Sequence, residues 1–497
     1  MRSWLHIAAA GALLGPAACG PPAPEGPNVL LITVDSLRAD RLGCMGYERD
    51  TTPNLDALAA EGLVFERAYS HAPFTAPSHA SLLTSLHTQS HGVLAWEERL
   101  APEAVTMGER FGAAGWRTGA FYNHPGLITS EVTRGFDEVW LRYFGAGTET
   151  VDALLDWVDA DDRPFAAWMH LWDVHRPYAY RDWTQEWMEK VPPELIPPRD
   201  ELAFGEERFG PGAPGGDLSI GRTEGFYNLN DERRTTSKPT ARGQRLLDEE
   251  DLRFIRDRYD GGVRFADREL GRLFAALRER GLLDDTLVVV TADHGESLTE
   301  REACFFTHDP FLFEETLRVP LVVRFPVGFP GAERAGTRSG VLARGIDVLP
   351  TMLQVAGLAT RASDQGQSLI PALEGREKLA RTLLAQTQTH SAKERNAKDK
   401  ATWLEHRRAF VSGDLKLIQD LSAGTWTWYD LAADPGERAP LPPTDPRLPE
   451  LEQLREQLEA LVAALPVSGQ PPRKLTPAQE ELLQKMGYAG GDEDEEP

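Results

Sequence analysis

Cysteine is nearly missing from this chain: Cys19, Cys44 and Cys304 are the three in 497 residues. So few, set so far apart, exclude a disulfide framework as the source of stability. Basic residues are also short, with 53 Lys and Arg against 77 Asp and Glu and a formal charge of −24. A polyanion is bound by clustered Lys and Arg, so nucleic acid is excluded as a partner. An anionic substrate must instead be held by metal ions and a local cationic pocket. Beyond the first residues no apolar run reaches the ~20 residues of a membrane-spanning helix. What remains is ordinary globular material, 41% hydrophobic and 26% charged, enough to build a large core.

At the start, Arg2 precedes an apolar, alanine-rich stretch over residues 7–14, and Gly15-Pro16-Ala17-Ala18-Cys19 follows. This resembles a lipoprotein signal peptide, residues 1–19, with Cys19 as the lipidated residue. Pro16 departs from the aliphatic residue such a leader normally carries there. Residues 20–27 are proline-rich and read as a stiff tether. The resemblance implies an exported lipoprotein of a bacterial envelope, or otherwise a periplasmic or secreted protein, that meets the membrane only through its N-terminal lipid.

Residues 29–34, 116–122, 164–171, 286–291 and 319–325 are nearly continuous apolar runs, the pattern of strands buried on both faces of a parallel sheet. Helical patterns at residues 248–280 and 347–356 alternate with them. The expected fold is α/β: a doubly wound, mostly parallel sheet flanked by helices, with a small C-terminal α+β subdomain. The catalytic domain is expected over 28–390. Within it, residues 181–246 lose periodicity while proline, glycine and charge rise, which marks an irregular insertion. Antiparallel strands at 407–419 and 425–431 and a helix at 449–465 make the subdomain, 391–470, and residues 471–497 are an acidic tail.

The segment Ala72-Pro-Phe-Thr75-Ala-Pro77-Ser-His79-Ala-Ser-Leu-Leu-Thr84 sets a hydroxyl two positions before a proline that suits a helix's first turn. There Thr75 meets unpaired backbone N–H groups and the positive end of a helix dipole, which favour an alkoxide and a bound oxyanion. The alternative role is a helix cap. Asp35 follows the first apolar strand, where α/β sheets gather ligands, and it reads either as a metal carboxylate or as a turn residue. Asp293 and His294 end the strand at 286–291 in the same way.

The segment around Thr75 resembles the active-site signature of the sulfatase family, within the alkaline-phosphatase-like superfamily, C-x-P-S-R-x-S-L-L-T-G. Further matches are Leu30-Leu-Ile-Thr-Val-Asp35, residues 52–62, residues 286–296, Leu317-Arg-Val-Pro-Leu321 and residues 429–437. Thr75 replaces the cysteine and His79 the arginine. Many sulfatases carry a second aspartate where this chain has Ser36, so one cation ligand is missing. The resemblance implies a divalent-metal site of Asp35, Thr75, Asp293 and His294. The calcium-binding sulfatases commonly have Asp-Asn where this chain has Asp-His, and an imidazole shifts preference toward zinc or manganese. Asp173 and His175, in Trp172-Asp173-Val-His175-Arg-Pro-Tyr178, match a D-x-H-x-P-Y pattern of related sequences. With His308 they supply a second ion's ligands, or else Asp173 and His175 hydrogen-bond structurally. One or two ions are thus implied. His175 also reads as a contact to the leaving group, and His79 as an acid or anion contact or a packing residue.

Sulfatases oxidise their cysteine, or a serine, to an aldehyde. Threonine would give a ketone, so Thr75 must attack directly, with the metal lowering the pKa of its hydroxyl. The chain therefore reads as a metal-dependent ester hydrolase favouring phospho- or phosphonoesters. Sulfate-ester hydrolysis by an unmodified threonine, transfer of a phospho group to a lipid or sugar, and an inactive binding protein of the same fold are the alternatives.

Overall fold

The computed structural model describes residues 24–468, apart from 96–97, 143–144, 177, 179–248, 299, 302–307, 331, 375–380 and 391–403. The leader with Cys19, the insertion at 181–246, Cys304 and the tail after residue 468 therefore lie outside the described residues. Among the described residues no helix is long and apolar enough to cross a membrane.

Strand β1 (Asn28–Val34) is buried along its whole length, as its unbroken apolar run requires. The other strands of its sheet are β2 (Leu63–Tyr69), β3 (Arg117–Tyr122), β4 (Glu138–Leu141), β5 (Phe165–Leu171), β6 (Thr286–Ala292), β7 (Arg318–Val319), β8 (Leu321–Arg324) and β9 (Thr337–Arg344). Their order is β4-β3-β5-β1-β6-β8-β2-β7, with β9 paired to β2. Strands β4, β3, β5, β1 and β6 all run parallel, in the register Thr33↔His170 and Thr33↔Thr291 across β1. Strand β8 is antiparallel to both β6 and β2, so the sheet is mixed but mostly parallel. Parallel pairing brings the carboxyl ends of β3, β5, β1 and β6 to one edge, where ligands of open α/β sheets collect.

Helices α1 (Pro53–Ala60), α2 (Thr75–Thr84), α3 (Gly147–Asp159), α4 (Glu249–Glu279) and α5 (Gly345–Val355) flank this sheet. Helix α4 packs on α1 and α3, and α2 packs on α5. From α4, Tyr259 donates its hydroxyl hydrogen to Ser36 O at 2.6 Å and accepts from Arg38 N at 3.0 Å. That pair of bonds fixes the loop leaving β1.

The second sheet is antiparallel: β10 (Thr382–His390), β11 (Leu404–Ser412), β12 (Leu415–Asp420) and β13 (Thr425–Asp430). Residues 407–419, expected as one strand, form two, because Gly413 turns the chain with φ +59°. Strand β10 pairs with β11 from Thr382↔Ser412 to His390↔Leu404, so this sheet begins before the expected boundary at 391. Helix α6 (Leu448–Ala464) covers it with Leu451, Leu454 and Leu458. The opposite side, Leu383, Ala385, Val411 and Ile418, packs on Tyr69, Leu312, Leu317 and Leu342 of the larger domain.

Polar bonds cross the same seam. Gln386 N donates to His71 O at 2.9 Å, and Thr387 Oγ1 donates to Asp309 Oδ1 at 2.6 Å. Lys416 Nζ, fully buried, lies 2.9 Å from Glu437 Oε1 and 3.2 Å from Glu314 Oε1. Burial opposes its charge, but Glu437 and Glu314 outweigh that and raise its pKa, so the ammonium stays charged.

Candidate active site

Four strand ends and one helix start meet at the edge described above. Strand β1 delivers Asp35, whose N–H donates to Leu171 O at 2.8 Å and so extends the pairing with β5. Strand β6 delivers Asp293 and His294, β5 delivers His170, and β3 leads two residues on to His124. All five side chains are buried.

Thr75 opens α2, but it does not cap it. The N-cap is Phe74, with no side-chain capping bond, and Thr75 Oγ1 points to His294 Nε2 at 3.4 Å. The hydroxyl is thus turned to His294 rather than to its own helix. Ser78, one turn on, donates to Asp293 O and ties α2 to the end of β6.

Ser36 stands where a further carboxylate was expected in the resemblance. It adopts φ +57°, donates through Oγ to Asp35 Oδ1 at 2.7 Å, and donates through N to Asp293 Oδ1 at 3.1 Å. His294 N also donates to Asp293 Oδ1, at 2.9 Å. One oxygen of each aspartate is therefore satisfied. The other two, Asp35 Oδ2 and Asp293 Oδ2, are buried with no hydrogen-bond partner. Buried carboxylate oxygens without donors are costly unless a cation meets them.

Asp35, Asp293 and His294 each offer a ligand atom within 4.8 Å of the others. His294 Nε2 lies 3.5 Å from Asp293 Oδ2 and 3.8 Å from Asp35 Oδ1. Burial works against a charge on His294, yet Asp293 and Asp35 outweigh it and raise its pKa. The spot between the two carboxylates attracts positive charge, and its donor set fits a divalent ion.

The remaining histidines line the same space. His308 Nδ1 meets Pro73 O at 2.7 Å, leaving Nε2 buried, and its ring centre is 4.2 Å from that of His294. His175 Nδ1 meets Arg176 O, and its ring centre is 5.7 Å from His308. Each Nδ1 faces a carbonyl oxygen and must carry hydrogen, so in a neutral ring each Nε2 presents a lone pair. That suits an ion contact better than a proton donor to a leaving group. His79 Nδ1 meets Thr75 O at 2.9 Å and its Nε2 meets Thr33 Oγ1 at 3.1 Å, so this residue braces α2 against β1.

Asp173 is not brought to the ion side. Its Oδ1 accepts from Gly147 N at 3.1 Å, at the start of α3, and its Oδ2 is 3.5 Å from Asn123 Nδ2. The chain turns at Asp173 and bends at His175, so the rule that side chains two apart on an extended strand share a side does not apply. Among the described residues, the second ion's expected set of Asp173, His175 and His308 is therefore short of its carboxylate. An Asp173→Ala chain is expected to lose about 1–3 kcal/mol of stability in urea unfolding, from the buried bond, with ion affinity unchanged in a titration. Loss of ion binding with stability intact would return Asp173 to the ligands.

His124 and His170 are absent from the sequence-based site, yet both join it. His124 Nε2 lies 3.9 Å and His170 Nε2 3.3 Å from Asp35 Oδ2. The rule that marked Asp35, a polar residue at a parallel strand's carboxyl end, also applies to His124.

The model of the sulfatase family matches residues 27–358, more than half of the chain, and the chain belongs to that family. A second model, N-sulphoglucosamine sulphohydrolase, C-terminal, matches residues 302–464. The arylsulfatase of Clostridium perfringens (strain 13 / Type A) is 25% identical over 480 residues, covering 87% of this chain and 93% of that protein. A multifunctional alkaline phosphatase superfamily protein of Trinickia caryophylli is 26% identical over 426 residues, covering 72% and 79%. Among solved structures, the phosphonate monoester hydrolase of Agrobacterium radiobacter superposes with a TM-score of 0.66 at 22% identity, covering 88% of this chain and 95% of that one, a likeness of fold. The chain is thus a sulfatase-family hydrolase acting on ester bonds, from a family of metal-dependent enzymes.

Proposed function

We propose that this enzyme hydrolyses phospho- or phosphonoesters with unmodified Thr75 as the direct nucleophile. The observation that carries this is the aim of Thr75 Oγ1, which makes no capping bond and lies 3.4 Å from His294 Nε2. A threonine at this place has no route to the aldehyde of cysteine-type sulfatases. Thr75 Oγ1 gives up its hydroxyl proton and forms a bond to phosphorus as the bond from phosphorus to the ester oxygen breaks, and the leaving alcohol takes up one proton, so that none is gained or lost overall. Water then cleaves the covalent Thr75 ester and returns the hydroxyl. Asp35, Asp293 and His294, with Thr75 beside them, would hold one divalent ion, which when bound lowers the pKa of the threonine hydroxyl and offsets charge on the non-bridging oxygens. The mixed oxygen and imidazole donors favour zinc or manganese over calcium.

The sulfatase names of several relatives favour a second reading, hydrolysis of sulfate esters by the same threonine. Turnover of nitrophenyl phosphate, phosphodiester, phosphonate and sulfate separates the two: a phosphorus ester is expected to lead, and a lead by sulfate overturns the preference. Lipid attachment at Cys19, supported by the leader, belongs to the same reading.

Removing the ion has its own signature. Chelation is expected to abolish turnover and lower the melting temperature, because an ion at a thousandfold excess over its Kd stabilises the fold by about 4 kcal/mol. Both are expected to return with zinc or manganese and not with calcium. Full activity in the chelated, ion-free chain would refute the metal role.

A further inference from the structure

We propose that His170, at the end of β5, is a further ligand of the ion through Nε2; this rests on the reading of Asp35, Asp293 and His294 as its ligands. The argument is a count of hydrogens around Thr33. Trp168 Nε1 donates to Thr33 Oγ1 at 3.0 Å. His79 Nδ1, 2.9 Å from Thr75 O, must carry hydrogen because a carbonyl oxygen only accepts. The ring is wholly buried and each of its nitrogens is bonded to a neutral oxygen, a setting for an uncharged imidazole, whose Nε2 then bears a lone pair. That lone pair, 3.1 Å from Thr33 Oγ1, takes the one hydrogen the threonine hydroxyl has. The longer contact from Thr33 to Met169 O, 3.5 Å, would draw on the same hydrogen.

His170 Nδ1 lies 2.9 Å from the same hydroxyl oxygen. No hydrogen is left for it to accept, so it donates, and in a neutral ring Nε2 then carries the lone pair. This lone pair faces Asp35 Oδ2 at 3.3 Å; both atoms are buried and neither has a hydrogen-bond partner. Two lone pairs so close repel unless a cation lies between them. Ligands at the usual ~2.0–2.1 Å from a tetrahedral zinc are about 3.3 Å apart, the spacing observed.

The same reasoning sorts the neighbours. His294 Nδ1 meets Gly295 O at 2.8 Å, so in the neutral, ion-binding ring its Nε2 also presents a lone pair. His124 Nδ1 accepts from Gly126 N at 3.0 Å, so its Nε2 carries hydrogen and serves as a donor to the site. His79, grouped by distance with His170 and Asp293, has no lone pair to spare for an ion. With the Ser36 hydroxyl spent on Asp35, His170 would bring a second imidazole to the ion.

The test uses the full chain with one equivalent of Cu(II) as a spectroscopic probe and zinc in chelator competition. Electron spin echo on the wild type is expected to count two imidazole nitrogens, and a count of one overturns the proposal. His170→Gln, similar in size, and His170→Ala are expected to drop the count to one and weaken zinc at least about tenfold. Unchanged count and affinity in the folded variants also overturn it, as does a rise in affinity, which would mean that His170 is a cation paired with Asp35. Asp293→Asn checks the underlying reading: if it binds zinc as the wild type does, that reading fails, whereas if it alone loses zinc, only the role of His170 fails.

Discussion

Replacing Thr75 by alanine is expected to cut turnover of every accepted ester by at least about a thousandfold, because loss of a covalent nucleophile removes the step itself. Zinc binding should persist through Asp35, Asp293 and His294, and the fold should hold, since Thr75 Oγ1 makes no capping bond. Thr75→Ser keeps the hydroxyl and is expected to retain turnover within about tenfold. Steady-state rates, intact mass of trapped enzyme and an ion titration decide the matter together. A phosphoryl adduct on Thr75 would fix the nucleophile directly. Equal rates in the alanine variant would instead hand the attack to water, and Thr75 would then be an ion contact alone.

The second large effect is on stability. Lys416→Ala is expected to cost about 3–5 kcal/mol, since it takes from the buried Glu437 its nearest cation, at 2.9 Å, and leaves Arg301 at 4.0 Å. Urea unfolding followed by tryptophan fluorescence measures it. Lys416→Met combined with Glu437→Gln is expected to recover most of the loss, because neutral groups that pack need no partner. If the single variant unfolds at the wild-type urea concentration, the buried triad is not holding the seam.

The centre of the fold was readable because strands buried on both faces are written as continuous apolar runs, and β1, β5 and β6 are such strands. Strand β2 escaped because Glu66 and Arg67 interrupt it at half-buried positions. Strand β9 escaped because its first half, from Thr337, is largely exposed and carries no apolar pattern. Asp35, Asp293 and His294 were readable in the site since each follows a strand end, and Thr75 since it stands at a helix start. His170 was hidden inside an apolar run, where a lone histidine reads as interior packing. Its meaning depends on Thr33 and His79, 137 and 91 residues away in the chain, which no local pattern connects. For Asp173 the sequence left an ion ligand and a structural hydrogen bond both open; its spacing to His175 implied a shared side, and the turn between them sets it on Gly147 N instead.

Strand β10 belongs to the small sheet, yet its Gln386 and Thr387 grip His71 and Asp309, four residues before Thr75 and one after His308. The C-terminal subdomain is therefore not an exchangeable cassette. A chimera cut just before β10 would carry Thr75 away without the wall beside it, whereas a graft that keeps β10 with the larger domain would leave β11 without its partner strand.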